Sequence, residues 1–288
     1  MSKKRIYFQK EGEGVYETTQ QVKLAGCILT MSKYGKPIFI GKRNFIEIDL
    51  GDGDEENKIK LSAEEMRLKS LRRAKKRITD LINANFRQWK KRGGIPYEPY
   101  TFTFTFGENV QDLDYANKEL KNFIRRFGYS IRGKITFFKY LAVIEFQKRG
   151  AIHYHVVIFN LPWVDDLYDE ARKIWRQSVG SGAVHIEPAA SERGTANYLC
   201  KYLTKSVEND RLETRKSYFC SKGLKKPITI SFEELVNLIK TMLPPDLKGY
   251  FRHSESDHLV YINRTIYNLK KYPEILERIH KEIIEKYL

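Results

Sequence analysis

The stretch from residue 140 to residue 160, YLAVIEFQKRGAIHYHVVIFN, limits the fold more than any other part of this sequence. Two apolar runs of strand character flank Lys148-Arg149-Gly150, and a three-residue loop that contains glycine is typical of a β-hairpin. The loop also sets the register of the two strands, which pairs Gln147 with Ala151, Phe146 with Ile152 and Glu145 with His153. The sequence therefore predicts an antiparallel pair with a fixed alignment.

Three side chains that can bind metal share one face of this predicted hairpin. Side chains alternate along a strand, so His153 and His155 point the same way, roughly 6–7 Å apart. Glu145 lies opposite His153, and directly opposed residues have Cβ atoms about 4.5–5.5 Å apart. Two imidazoles and a carboxylate suit Mn²⁺, Mg²⁺ or Zn²⁺. Gln147 points to the same face, as a further ligand or a support for one.

The charge of the chain indicates the kind of partner. The 288 residues carry a formal net charge of +16, which favours a polyanion such as a nucleic acid. No apolar run reaches the length of a membrane-spanning helix, and residues 1–14 lack the apolar core of a signal peptide, so we expect no membrane partner. Three cysteines without a CxxC pair fit a reducing, cytoplasmic location.

The order of predicted elements indicates an α+β fold with a central antiparallel sheet flanked by helices. TFTFTF from Thr101 predicts a strand, and the hairpin is followed by a helix, the short strand AVHIEP and a further helix. We predict an N-terminal extension at 1–95, a core at 96–207 and a mixed C-terminal extension at 208–288.

The N-terminal extension is predicted to hold short strands and one long basic helix. VKLAGCILT and PIFIGKR suggest strands around a turn at Tyr34–Pro37, and residues 51–57 form an acidic loop. A capping box at Ser62–Glu65 opens a helix that is predicted to run to about Lys91. Its polar face is strongly basic, so phosphate contact is as reasonable as a solvated surface.

Residues 128–134, GYSIRGK, match the pattern of a phosphate-binding loop but not its context. Ile135 occupies the position of the Mg²⁺-binding Ser or Thr, and the predicted helix comes before the loop instead of after it. We therefore predict no nucleotide-driven motor in this chain.

A second group of reactive side chains lies in YLCKYLTK, which begins at Tyr198. On a helix, Tyr198, Lys201, Tyr202 and Lys205 share one face. An amphipathic helix with tyrosines at its edge is the simpler interpretation. The alternative makes one or both tyrosines nucleophiles toward a phosphodiester, with help for a phenol whose ordinary pKa is about 10.

Together these motifs resemble the HUH endonuclease superfamily, and within it the rolling-circle replication initiators of bacterial plasmids and single-stranded DNA phages. TFTFTF stands at the first motif strand, EFQKRGAIHYH at the metal motif and YLCKYLTK at the tyrosine motif. The resemblance covers about residues 98–206 and implies an RRM-like core. Related relaxases usually have three histidines, so Glu145 favours the initiator branch.

The resemblance implies a mechanism and a set of partners. Glu145, His153 and His155 would hold Mn²⁺ or Mg²⁺, and Tyr198 or Tyr202 would attack the scissile phosphate, with Lys201 steadying it. A 5′-phosphotyrosine and a free 3′-hydroxyl would result. The expected partners are single-stranded DNA or an origin hairpin, origin duplex DNA, and a host helicase and polymerase.

Other functions fit parts of the same pattern. A HUH transposase or relaxase would use the same chemistry on another DNA target. A non-catalytic nucleic-acid-binding protein would use the His-x-His strand only as core, and a hydrolytic nuclease would not need the tyrosines. His185 and Glu187 on AVHIEP are more simply structural than additional ligands.

Overall fold

The structure is a computed structural model that describes residues 16–40, 62–131, 137–162, 164–207, 215–256 and 258–287. The chain divides into two compact units, the central unit (Ala63–Lys226) and the terminal unit (Met1–Ser62 with Pro227–Leu288). The three-segment division stays a prediction, and the two compact units have other boundaries. No helix in the described ranges is long and apolar enough to cross a membrane.

The elements in chain order alternate between strands and helices. The strands are β1 (Tyr16–Ala25), β2 (Ile28–Ile40), β3 (Tyr100–Phe106), β4 (Tyr140–Phe146), β5 (Ile152–Ile158), β6 (Gly182–Pro188), β7 (Tyr218–Cys220), β8 (Ile228–Ile230), β9 (Tyr250–Ser256) and β10 (Val260–Asn268). The helices are α1 (Ala63–Asn85), α2 (Leu113–Ser130), α3 (Leu167–Val179), α4 (Glu192–Val207), α5 (Glu233–Met242), α6 (Pro273–Ile279) and α7 (Glu285–Tyr287), with a 3₁₀ turn (Leu269–Lys271) and a π turn (His280–Ile284).

The central unit is built on one antiparallel sheet with the order β6-β3-β5-β4-β7. Its chain order β3-α2-β4-β5-α3-β6 is the βαββαβ arrangement of split-βαβ folds. The terminal unit holds a second antiparallel sheet, with the order β8-β1-β2-β10-β9. Two antiparallel sheets flanked by helices confirm the predicted α+β class.

Aromatic side chains fill one face of the central sheet. The alternation of β3 buries Phe102, Phe104 and Phe106 on this face, under α2 and α3. The Phe104 ring lies 4.6 Å from the ring of Phe123 and 5.0 Å from that of Trp175. These contacts hold the sheet as a rigid platform for the opposite face.

The opposite face carries an aliphatic layer that ends in polar residues. Leu141, Val143 and Val157 are fully buried there against α1 and α4. Glu145, His153 and His155 continue the same face of β4 and β5, because their positions keep the two-residue period. The candidate site therefore lies on the sheet next to α4.

Two helix boundaries differ from the prediction. Helix α1 begins at Ala63, as the capping box predicted, but it ends at Asn85 instead of about Lys91. Arg87 has a φ of 55°, and the Asn85 side chain bonds to the backbone of Lys225, so the chain turns away from the helix axis. Helix α4 is complete over Glu192–Val207, although only the second half of this segment was predicted as helix.

The predicted turn at Tyr34–Pro37 is wrong. The hairpin of β1 and β2 turns at Gly26 and Cys27, where Gly26 has a φ of 59°. Tyr34–Pro37 lie within β2 as extra residues, since Lys33 pairs with Gln20 and Ile38 pairs with Thr18. The acidic segment 51–57 and residues 132–136 of the loop-like motif lie outside the described residues.

The aromatic layer predicts a large stability loss on truncation. Phe104→Ala should lower the free energy of unfolding by about 3–5 kcal/mol, because it leaves a cavity among packed rings. Chemical denaturation followed by circular dichroism measures this change. Met66→Ala is the control, since Met66 is 55% exposed on α1 and should change stability by less than about 0.5 kcal/mol. Equal losses in the two variants would contradict the packing described.

Candidate functional site

The hairpin of β4 and β5 has the register that the sequence predicted. Glu145 pairs with His153 and Phe146 with Ile152. The loop closes because Gln147 N–H donates to Ala151 O at 2.9 Å and Gly150 N–H donates to Gln147 O at 2.8 Å. Gly150 has a φ of 87°, which a residue with a Cβ seldom adopts.

This register brings Glu145, His153 and His155 together. His155 Nε2 lies 2.7 Å from Glu145 Oε2, and both side chains are buried. His153 Nδ1 lies 3.4 Å from Gln147 Nε2, while His153 Nε2 is buried and makes no hydrogen bond. The pKa of His153 is lowered, mainly by burial, which favours the neutral imidazole that can bind a metal.

A lysine from α4 completes the environment of the buried carboxylate. Lys205 Nζ donates to Glu145 Oε1 at 2.8 Å. Burial raises the pKa of Glu145, but hydrogen bonds from His155 and Lys205 outweigh it and leave the pKa below its usual range. The same contact raises the pKa of Lys205. Glu145 is therefore an anion held between two donors.

Helix α4 directs both predicted tyrosines at His155. Tyr198 Oη lies 2.9 Å from His155 Nδ1 and 2.9 Å from Thr103 Oγ1. The Tyr202 ring stacks on the imidazole with 3.4 Å between centroids and 12° between planes. Burial raises the pKa of Tyr198 to about 12, although the Thr103 hydrogen bond acts in the opposite direction.

Contacts at both ends of α4 explain why the tyrosines stand where they do. Leu199 and Leu203 are fully buried against the sheet, so residues 198 and 202 follow on the adjoining side of the helix. Near the end of the helix, the Ser206 hydroxyl donates to the carbonyl of Ile144 in β4. Helix and strand are thus fixed to each other within the central unit.

The two lysines of the tyrosine motif occupy different positions. Lys201, the predicted catalytic lysine, is exposed, and its Nζ lies 5.7 Å from the centroid of the Tyr202 ring. Lys205 contacts Glu145 directly and lies 5.2 Å from the same centroid. The structure therefore adds Lys205 to the site. The second Y-x-x-K repeat was the sequence signal that could have identified it.

Thr103 is a second residue that the sequence analysis did not assign to the site. It pairs with His155 on one side and with His185 on the other, so β3 lies between these histidines. The alternation of TFTFTF had predicted only that its threonines share a face. His185 and Glu187 are exposed, with Nε2 and Oε2 3.6 Å apart, and form a separate pair on β6.

The donors at this site are compatible with a divalent cation. Within the described ranges no three or more His, Cys, Asp or Glu side chains converge as a metal-binding group, since Glu145 and His155 bond to each other. However, the buried, unsatisfied His153 Nε2 is the kind of atom that an ion would satisfy. Two imidazoles and one carboxylate are also ligands that Mn²⁺ or Mg²⁺ can accept.

Comparison with known proteins gives one match. Residues 99–207 match a family model of the replication-associated protein ORF2, a segment that runs from β3 to the end of α4 and includes every residue of the site. No curated protein and no solved structure matches the chain. The match supports a Rep-like segment with a role in the initiation of replication.

The different positions of Lys205 and Lys201 predict different effects on Glu145. Lys205→Met should raise the pKa of the Glu145 carboxyl, because it removes a hydrogen bond and a positive charge that lower it. Lys201→Met should leave that pKa unchanged. Carbon-detected NMR titration of the metal-free protein measures both, and equal shifts would contradict the contact between Lys205 and Glu145.

Proposed function

We propose that this protein nicks and rejoins single-stranded DNA at a replication origin by transesterification, and so initiates rolling-circle replication. The observation that carries the proposal is the contact between Tyr198 Oη and His155 Nδ1 at 2.9 Å, beside Glu145 and His153. It joins a nucleophile to a metal-type donor set within the segment that matches the family model. The net charge of +16 suits a DNA substrate.

Glu145, His153 and His155 are the residues that would hold Mn²⁺ or Mg²⁺. When bound, the cation would act as a Lewis acid on a phosphodiester oxygen. Lys205 neutralises part of the carboxylate charge in the structure, and its ammonium group lies close enough to contact the substrate phosphate as well. We therefore assign the motif's phosphate-steadying role to Lys205, with Lys201 at the periphery.

Tyr198 is the better placed nucleophile of the two tyrosines. Its hydroxyl is hydrogen-bonded to His155 and Thr103, whereas Tyr202 contacts His155 through the face of its ring. A histidine that binds a metal through Nε2 keeps its proton on Nδ1. From there His155 can donate to the Tyr198 oxygen, which favours the phenolate.

The reaction balances without water or ATP. The Tyr198 phenol loses its proton, its oxygen forms a bond to phosphorus, and the bond from phosphorus to the 3′-oxygen breaks. The leaving oxygen takes up a proton and becomes a free 3′-hydroxyl. The DNA stays joined through a 5′-phosphotyrosine, and a later attack by a 3′-hydroxyl, or by Tyr202 as the second nucleophile, releases it. Unwinding and synthesis would come from a host helicase and polymerase.

The proposal predicts a covalent adduct that depends on the tyrosines. Wild-type protein incubated with labelled single-stranded origin-like DNA and Mn²⁺ should give a species that survives denaturing electrophoresis. Tyr198→Phe should lower the adduct yield by at least about 10²-fold, since it removes the nucleophile. Tyr202→Phe should retain initial adduct formation and slow the release of DNA.

Two further variants separate this proposal from the other functions. His153→Ala should abolish the adduct, because it removes a metal donor without changing either tyrosine. Tyr198→Phe combined with Tyr202→Phe should also abolish it. DNA cleavage that persists in this double variant would indicate a hydrolytic nuclease, and salt-sensitive binding without cleavage under any divalent metal would indicate a non-catalytic binding protein.

Helix α1 is the proposed contact to origin duplex DNA. Lys69, Arg72 and Arg73 are exposed on it, while Ile78, Leu81 and Ile82 bury its other face in the central unit. Deleting the helix would therefore damage the core, so single charges are the better test.

Replacing the exposed charges of α1 should weaken duplex binding in a salt-dependent manner. Lys69→Gln, Arg72→Gln and Arg73→Gln together should reduce the slope of log K against log salt by up to about 2.7, because each phosphate contact contributes about 0.9. Fluorescence anisotropy with a duplex at several salt concentrations measures the slope. An unchanged slope and affinity would exclude α1 as the contact.

A further inference from the structure

A second basic surface lies in the central unit, at the start of β4. Three segments meet there: residues 87–92 after α1, 137–139 before β4 and 221–226 after β7. Asn85 connects the first to the third through both its side-chain atoms and the backbone of Lys225, at 2.8 and 2.9 Å. Lys139 Nζ connects the second to the third by donating to Lys222 O at 3.1 Å.

These segments hold basic residues and no acidic one. The basic residues are Arg87, Lys90, Lys91, Arg92, Lys139, Lys222, Lys225 and Lys226. Arg87 pairs with Glu98. Among the described residues, the structure gives none of the lysines in these segments a carboxylate partner. Their charges are therefore available to a ligand.

Trp89 lies at the centre of this surface, between two of the lysines. Lys139 Nζ is 5.1 Å and Lys225 Nζ is 5.7 Å from its ring centroid. Main-chain carbonyls fix both ammonium groups, since Lys139 donates to Lys222 O and Lys225 donates to Gln88 O. Trp89 Nε1 donates to Asn85 Oδ1 at 3.1 Å, which fixes the indole itself.

Covering an indole with aliphatic stems explains only part of this arrangement. Lysine stems often lie on apolar surface with the charge in water. Here, however, two ammonium groups converge on one ring with further lysines on either side, and like charges held together repel each other. The pKa of Lys225 is lowered accordingly, by burial and then by Lys90. A bound anion would relieve that repulsion.

We propose that this surface, the Trp89 patch (Trp89, Lys90, Lys139, Lys222, Lys225 and Lys226), binds the phosphodiester backbone of the DNA that flanks the cleaved bond. The proposal rests on the proposed function for its substrate. A tryptophan among lysines suits a single strand, whose bases can stack on the ring, while lysines alone would also suit a duplex.

The separation of the patch from the site sets its place on the DNA. Lys139 continues the pairing of β4 with β5, since its carbonyl accepts from Phe159 N–H at 2.7 Å. It precedes Glu145 by six residues, which corresponds to about 20 Å along a strand. That distance equals roughly six base pairs at about 3.4 Å each. The patch would therefore contact the flank, and the site the cleaved bond.

The test compares two charge-matched double variants of the full chain. Lys139→Gln with Lys225→Gln removes two charges from the patch. Lys118→Gln with Lys121→Gln removes two charges from α2, which covers the opposite face of the sheet. Binding of fluorescein-labelled (dT)30 and of a 30-base-pair duplex is measured by anisotropy, without metal, at several salt concentrations.

The patch variant should bind (dT)30 on the order of tenfold more weakly, with a slope of log K against log salt reduced by about 1.4 for two lost contacts to a single strand. The control variant should bind as the wild type does. Lys139→Arg with Lys225→Arg should restore binding, because the charges return. A loss seen only with the duplex would assign the patch to duplex DNA within the same proposal.

Three outcomes would overturn the inference, and they differ in what else they affect. Equal affinity of the patch variant and the wild type for both DNA forms would remove the patch alone and leave the proposed function intact. Weak binding of the arginine variant as well would mean that the lysines only support the packing of Trp89. A wild-type protein that binds neither DNA and forms no adduct would overturn the proposed function together with the inference.

Discussion

The contact between Glu145 and His155 depends on the register of one hairpin, and the candidate site depends on that contact. A slip of one residue would turn every side chain of β5 to the other face, so that Tyr154 instead of His155 would face α4. The loop 148–150 prevents this, because its length and the positive φ of Gly150 fix the pairing. The aromatic layer on the other face also favours the same register.

Burial at this contact has opposite effects on the groups around it. It raises the pKa of Glu145 and of Tyr198, and it lowers that of His153. Only Glu145 has enough donors to stay an anion, through His155 and Lys205. The site thus combines a buried carboxylate, a neutral imidazole and a protonated phenol. This is a sensible resting state for a centre that becomes reactive when a cation and a phosphate arrive.

The local parts of this arrangement could be predicted from sequence, and the long-range parts could not. The hairpin register follows from three loop residues, and the shared face of Tyr198 and Tyr202 follows from helical spacing. The choice of Lys205 over Lys201 could not be predicted, because it depends on how α4 rotates when Leu199 and Leu203 bury against the sheet. Likewise, the end of α1 at Asn85 depends on Lys225, which lies 140 residues away in the sequence. The turn at Gly26 was missed because Gly35-Lys36-Pro37 is the stronger local turn signal.

The central claim is that a tyrosine of α4 becomes joined to DNA, and mass spectrometry of the adduct tests it most directly. Trypsin separates the two candidates, since cleavage after Arg193, Lys201 and Lys205 puts Tyr198 in GTANYLCK and Tyr202 in YLTK. After nuclease digestion, the account predicts a nucleotide 5′-phosphate on the peptide with Tyr198. A nucleotide on YLTK alone would contradict the choice of tyrosine. A nucleotide on neither peptide would contradict the mechanism.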